Sequence, residues 1–108
     1  MVRSVVFGTL CVLGLAGTAS AQDVAKGQQV YTTQKCSLCH SIAGKGNPKG
    51  PLDAVGSKLK PDEIRAWIVD APGMTTKTAA ARKPAMKSYN LPKEDLDALV
   101  AYMASLKK

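Results

Sequence analysis

The run Cys36-Ser37-Leu38-Cys39-His40 constrains this chain more than any other feature. It sets two thiols three positions apart and follows the second at once with the only histidine among the 108 residues. The third cysteine, Cys11, lies in a different kind of segment. Met1-Val2-Arg3-Ser4 carries one positive charge, Val5 to Gly17 is apolar or small throughout, and Thr18-Ala19-Ser20-Ala21 ends in a small-x-small pattern. A basic start, an apolar middle and an Ala-x-Ala end predict a secretory signal cleaved after Ala21. A membrane-spanning helix needs about 20 apolar residues, more than this run supplies. Gly8-Thr9-Leu10 is also a poor lipidation context for Cys11. The expectation is a signal peptide over residues 1–21 and one domain over residues 22–108, with no stable membrane anchor after cleavage.

That domain is short of bulk. Its aromatic residues are Tyr31, Trp67, Tyr89 and Tyr102, since Phe7 leaves with the signal. A domain this small buries a modest core and often needs a staple. A disulfide between Cys36 and Cys39 is one candidate in an oxidising compartment. A thioredoxin-like redox pair would follow a strand of an α/β fold, and no alternating strand pattern of useful length is present. Zinc asks for about four ligands, and only Cys36, Cys39 and His40 are on offer. The fourth reading accounts for the whole run: C-x-x-C-H is the signature of c-type haem attachment. Each thiol adds across one vinyl group of the porphyrin, and the histidine after the second thiol supplies the proximal nitrogen to iron. One covalently bound haem c would also fill a core that lacks large side chains.

The periodic segments are helical. Asp23 is placed to cap a first helix running to about Lys35, with Val24, Gly27, Val30 and Tyr31 on one face. Ile42 to Leu59, with Gly44, Gly46, Asn47-Pro48 and Gly50-Pro51, reads as a loop rather than a packed element. Pro61 opens a second helix, with Asp62 and Glu63 at its positive end and Ile64, Trp67 and Ile68 as a buried stripe; Pro72-Gly73 stops it. Met74 to Asn90 reads as a second long loop with a helical turn near Thr78 to Arg82. Pro92 opens the last helix, on which Leu96, Leu99, Val100, Met103 and Leu106 share a face. The expected class is all-α: three main helices and two long loops. Loops of that length are unusual in a small domain unless they wrap something.

A second axial ligand is expected from the second loop. Met103 belongs to the apolar face of the last helix, which leaves Met86 and Met74. Met86 lies in Lys83-Pro84-Ala85-Met86-Lys87-Ser88-Tyr89, just before that helix, and is preferred; Met74 is the alternative. A thioether suits low-spin iron and raises the reduction potential.

With these residues in view the chain resembles the class I c-type cytochromes. The likeness runs through Gly27-Gln28-Gln29-Val30-Tyr31, Cys36 to His40, Gly50-Pro51-Leu52, Trp67-Ile68, Met86 to Tyr89 and Leu99 to Met103. It implies the small cytochrome c fold, three helices and two loops around one haem. It implies that Gly27 lets the first and last helices cross closely beside Tyr31 and Tyr102, that the Pro51 carbonyl accepts the His40 Nδ1 proton, and that Trp67 packs near the haem and reaches a propionate. Lys87 departs from the resemblance, which has proline frequently at that place.

The expected function is periplasmic electron transfer, with no substrate turnover of its own. One alternative is the haem subunit of a periplasmic oxidoreductase such as a sulfite dehydrogenase. Another is a haem-based sensor or peroxidase with an open iron position, which requires that Met86 not bind. The net charge of +7 is strongly basic. Export argues against nucleic acid as its partner and leaves an acidic protein or an anionic membrane surface; the expected partner is a redox protein with an acidic docking surface. Lys35, Lys45 and Lys49 flank the haem motif, and Arg82, Lys83 and Lys87 flank Met86.

Overall fold

The computed structural model describes residues 21–108. The proposed signal peptide, Ala21 excepted, lies outside the described residues.

Helix α1 spans Ala21–Thr33. Asp23 sits inside its first turn rather than ahead of it, so the expected capping role falls away. The helix also stops short of Lys35. That residue adopts a left-handed φ of 57°, which breaks the helical path and turns the chain into the short 3-10 turn Cys36–Leu38. The expected inner face holds: Gly27 and Val30 are buried, with Val24 and Tyr31 packed beside the core.

The segment expected as a loop between residues 42 and 59 carries more structure than its Gly and Pro content suggests. Strand β1, Ser41–Ile42, pairs antiparallel with β2, Lys45–Gly46. Ala43 and Gly44 join them with positive φ at both, 52° and 78°, the geometry of a two-residue hairpin turn. Helix α2 then spans Val55–Lys58, and Leu52, Val55 and Leu59 pack against the core. These apolar positions are spaced too irregularly to register as a helical or strand period. Helix α3 spans Pro61–Val69, opened by Pro61, and the Glu63 carboxylate accepts the Lys60 N–H at 3.1 Å. Ile64 and Ile68 are buried as expected, whereas Trp67 is only half-buried.

Pro72 does not end a helix; it lies in the first turn of another. Helix α4 spans Ala71–Thr78 and is capped by Asp70, whose carboxylate accepts the Gly73 N–H at 3.2 Å. Proline lacks only a donor that a first turn does not use, so Asp-Ala-Pro-Gly is a start signal here. The helical turn expected near residues 78–82 is therefore displaced toward the N-terminus, and Met74 lies within a helix. Ala79, at φ 55°, ends α4 and releases the segment 79–92. Helix α5 spans Lys93–Ser105 after Pro92. The fold is all-α as expected, with α2 and α4 added to the three main helices.

The core lies where α1, α3 and α5 meet, through Val30, Ile64, Ile68, Leu99, Val100, Tyr102 and Met103. Its tightest point is the crossing of α1 and α5. A Cβ added to Gly27 would overlap the Ala98 carbonyl oxygen and the Tyr102 Cβ, so only glycine permits this approach. Tyr31 and Tyr102 meet there edge to face, with centroids 6.1 Å apart and planes at 81°. Both the implied crossing and its tyrosine pair are present.

Candidate haem-binding site

The peptide from Cys36 to Ser41 is wired at every carbonyl. Cys36 O accepts the amides of Cys39 at 3.1 Å and His40 at 2.9 Å. Ser37 O and His40 O both accept Asn47 N–H, at 3.1 and 2.9 Å. Leu38 O accepts Asn47 Nδ2 at 3.2 Å, and Cys39 O accepts Arg82 Nη2 at 2.5 Å. Ser41 O accepts the Leu52 amide at 2.8 Å. Each carbonyl of this irregular turn finds a donor, from the turn itself, the hairpin segment or the Asn47 and Arg82 side chains. Gly46, at φ 111°, lets the hairpin pass against the His40 carbonyl, where any Cβ would overlap it.

Cys36 and Cys39 are both free thiols, the first half-buried and the second exposed. The structure thus brings Cys36, Cys39 and His40 together on one locked turn. His40 is half-buried, and its Nδ1 lies 3.0 Å from the Gly50 carbonyl oxygen. The resemblance implied Pro51 for that role. The acceptor here is one residue earlier, because the Gly50 carbonyl faces the motif, also accepting the Ser41 amide at 3.0 Å. Pro51 is exposed, bridging Ser41 in parallel register. With Nδ1 so engaged, the ring carries its proton there and leaves Nε2 as the donor atom, the arrangement of a ligating imidazole.

The electrostatics favour ligation. Burial lowers the His40 pKa, with the Arg82 charge adding to that effect and the Gly50 hydrogen bond opposing it. The neutral, coordinating form is favoured. Burial pushes the Cys36 thiol up, a backbone hydrogen bond within its own turn opposes this, and the nearby Cys39 adds to the rise. Tyr89 is raised by burial and then by negative charge at Cys36 and Cys39.

The residues fit a covalently held haem better than the alternatives. Among the described residues, no group of three or more His, Cys, Asp or Glu side chains is arranged to hold a metal ion. The apolar surface near the motif is open: Leu38, between the two cysteines, is 71% exposed. No large side chain among the described residues is fully buried. Met86 is half-buried in the segment 79–92, and Met74 is half-buried in α4, its amide bonded to Asp70 O at 3.1 Å. The sequence reading missed Asn47, Arg82 and Gly50 as supports of the motif. Asn47 was legible as a turn residue before Pro48, but its three bonds to the Cys36–Ser41 peptide depend on the fold.

Comparison with known families completes the class. The cytochrome c family matches residues 24–107, and this chain belongs to that family, within the class I c-type cytochromes. Membership implies a haem c cofactor and supports haem-based electron transfer. The chain is similar to cytochrome c oxidase subunit 2 of Alkalihalophilus pseudofirmus, at 29% identity over 91 residues, covering 76% of this chain and 25% of that protein. It is also similar to cytochrome c2 of Blastochloris viridis, at 41% identity over 51 residues, covering 46% of this chain and 39% of that protein. The chain thus spans well under two thirds of either relative. No solved structure matches it. No helix among the described residues is long and apolar enough to cross a membrane.

Proposed function

We propose that this domain is a periplasmic carrier of single electrons. One haem c is bound through Cys36 and Cys39, with His40 and Met86 as axial ligands. The observation that carries the reading is the locked Cys36–Ser41 peptide with His40 Nδ1 held on Gly50 O. The haem supplies a one-electron iron couple. The chain's own residues do the rest. The thiols tether the group, and Gly50 fixes the imidazole's tautomer. A thioether at the other axial position leaves no site for a substrate.

The charge distribution supports docking to an acidic redox protein. Lys35, Lys45, Lys49, Arg82, Lys83 and Lys87 are exposed around the motif and the Met86 segment. The four ion pairs among the described residues lie elsewhere, linking Lys26 to Glu94 and Asp95, and Asp97 to Arg65 and Lys93. Such a rim speeds encounter and is screened by salt.

A second reading keeps the chemistry and changes the assembly: a haem subunit or module fed by a catalytic partner, such as a sulfite dehydrogenase. The likeness to an oxidase subunit that is much longer than this chain favours it. Co-purification with a larger catalytic chain would decide for it.

The test of the site is direct. Acid-acetone-extracted protein should keep its haem mass; haem in the organic phase would sink the attachment. Met86→Ala should abolish the iron–sulfur charge-transfer band of the oxidised form and lower the potential, while Met74→Ala leaves both. The reverse outcome moves the ligand to Met74.

A further inference from the structure

The segment bearing Met86 and the turn bearing His40 meet at a single guanidinium. Arg82 lies in 79–92 shortly before Met86, and its Nη2 donates to the Cys39 carbonyl at 2.5 Å. Among the described residues it is the one hydrogen bond joining these two segments. The guanidinium rests against the Cα of Gly50, where an added Cβ would overlap both the Arg82 side chain and the Cys39 carbonyl oxygen. Gly50 is buried, and its own carbonyl holds His40 Nδ1 at 3.0 Å. Arg82 is paired with a neutral oxygen rather than a carboxylate, so its charge is not cancelled locally.

We propose that Arg82 is a positioning residue that latches the Met86 segment to the Cys39–His40 peptide and holds a positive charge beside the proximal imidazole, fixing the distal ligand and raising the reduction potential. The inference rests on His40 and Met86 being the axial ligands. Its physical basis has two parts. A planar fork packed on a glycine and bonded to a carbonyl restrains the backbone that carries it, which a lysine's flexible point charge does not. A nearby cation disfavours the oxidised iron, which carries one more positive charge than the reduced.

The experiment uses the oxidised, haem-loaded protein and two exposed-site variants, Arg82→Ala and Arg82→Lys. In Arg82→Ala the iron–sulfur band should vanish at a lower urea concentration than the helical circular dichroism, and the potential should fall. In Arg82→Lys the band should again vanish early while the potential stays near that of the parent. Coincident loss of band and helix at the parent's urea concentration in Arg82→Ala would overturn the latch. An unchanged potential in Arg82→Ala would overturn the charge effect. Amide exchange at Tyr89, whose N–H bonds Ile68 O at 2.8 Å, reads the latch without reference to iron. It should quicken in Arg82→Ala, and exchange equal to the parent's speaks against the latch. Failure of the ligand assignment shows separately, in Met86→Ala and Met74→Ala proteins that retain Arg82.

Discussion

The crossing of α1 and α5 and the segment 79–92 are held by different means. At the crossing, Gly27 lets two helices touch backbone to side chain, and Val30, Leu99, Tyr102 and Met103 close around the contact. In 79–92, most residues are exposed, and Arg82 and Tyr89 tie the segment to the rest through one hydrogen bond each, to Cys39 and Ile68. The first region is stabilised by interlocking apolar volume, the second by a few directional bonds and by whatever lies against its inner side. A volume constraint punishes almost any substitution, whereas a tether punishes only the residue that makes it.

Gly27→Val is the strongest way to break the comparison. Its side chain would meet the Ala98 carbonyl, a backbone atom of a helix that cannot swing aside. The loss should exceed about 3 kcal/mol, beyond the usual range for overpacking. An urea midpoint close to the parent's would show that the crossing is not rigid. Ala85→Gly, at an exposed place in the tethered segment, should by contrast cost under about 1 kcal/mol in the same titration.

A smaller effect sits on the crossing itself. The Tyr31 hydroxyl is buried without a hydrogen-bond partner among the described residues, and burial, above other causes, pushes its pKa up from 10.0 to about 12. A raised tyrosine pKa means that the neutral form is favoured on folding. That contribution is whole below pH 10 and is lost as pH rises through about 12. Tyr31→Phe should therefore flatten the alkaline stability profile over that range. At neutral pH it should be neutral or stabilising by up to about 1 kcal/mol, since an unmatched buried hydroxyl is removed. A Tyr31→Phe protein clearly less stable at pH 7 would mean that the hydroxyl has a partner in solution.

The smallest effect belongs to the first turns of α5. Hydrogen bonds from Arg65 and then Lys93 hold the Asp97 carboxyl below its ordinary value of 3.8. Its contribution is present above that pH and fades as pH falls below it. Asp97→Asn should remove this small acid-side slope and change little near neutrality. An acid limb identical in parent and variant would assign the slope to other carboxylates.

The difference between the two regions also explains what could be read beforehand. The α5 stripe and the α1 face are periodic because helices bury one side, so Leu99, Val100, Met103, Gly27 and Val30 were legible. The grouping of Cys36, Cys39 and His40 was legible too, because five consecutive residues share one turn. The start of α4 was misjudged because Pro72 alone marks both ends and beginnings; the Asp70 carboxylate on the Gly73 amide decides which. The shift from Pro51 to Gly50 depends on which of two neighbouring carbonyls the hairpin turns inward, and no local pattern encodes that. Arg82 was visible only as charge, since its bond to Cys39 spans 43 positions.

The meeting of Gly27 with Ala98 has a consequence for how the chain folds and varies. It clasps the domain into a hoop, its first helix fastened to its last. Closing a hoop of this circumference costs about 4 kcal/mol in chain entropy before any contact along its interior is rewarded, which makes the clasp an all-or-none event. The cost grows only with the logarithm of length, so doubling the circumference adds about 0.6 kcal/mol. Insertions between β2 and α3, or between α4 and α5, therefore leave the fastening almost untouched. Those two stretches are where the chain can be lengthened at the least cost.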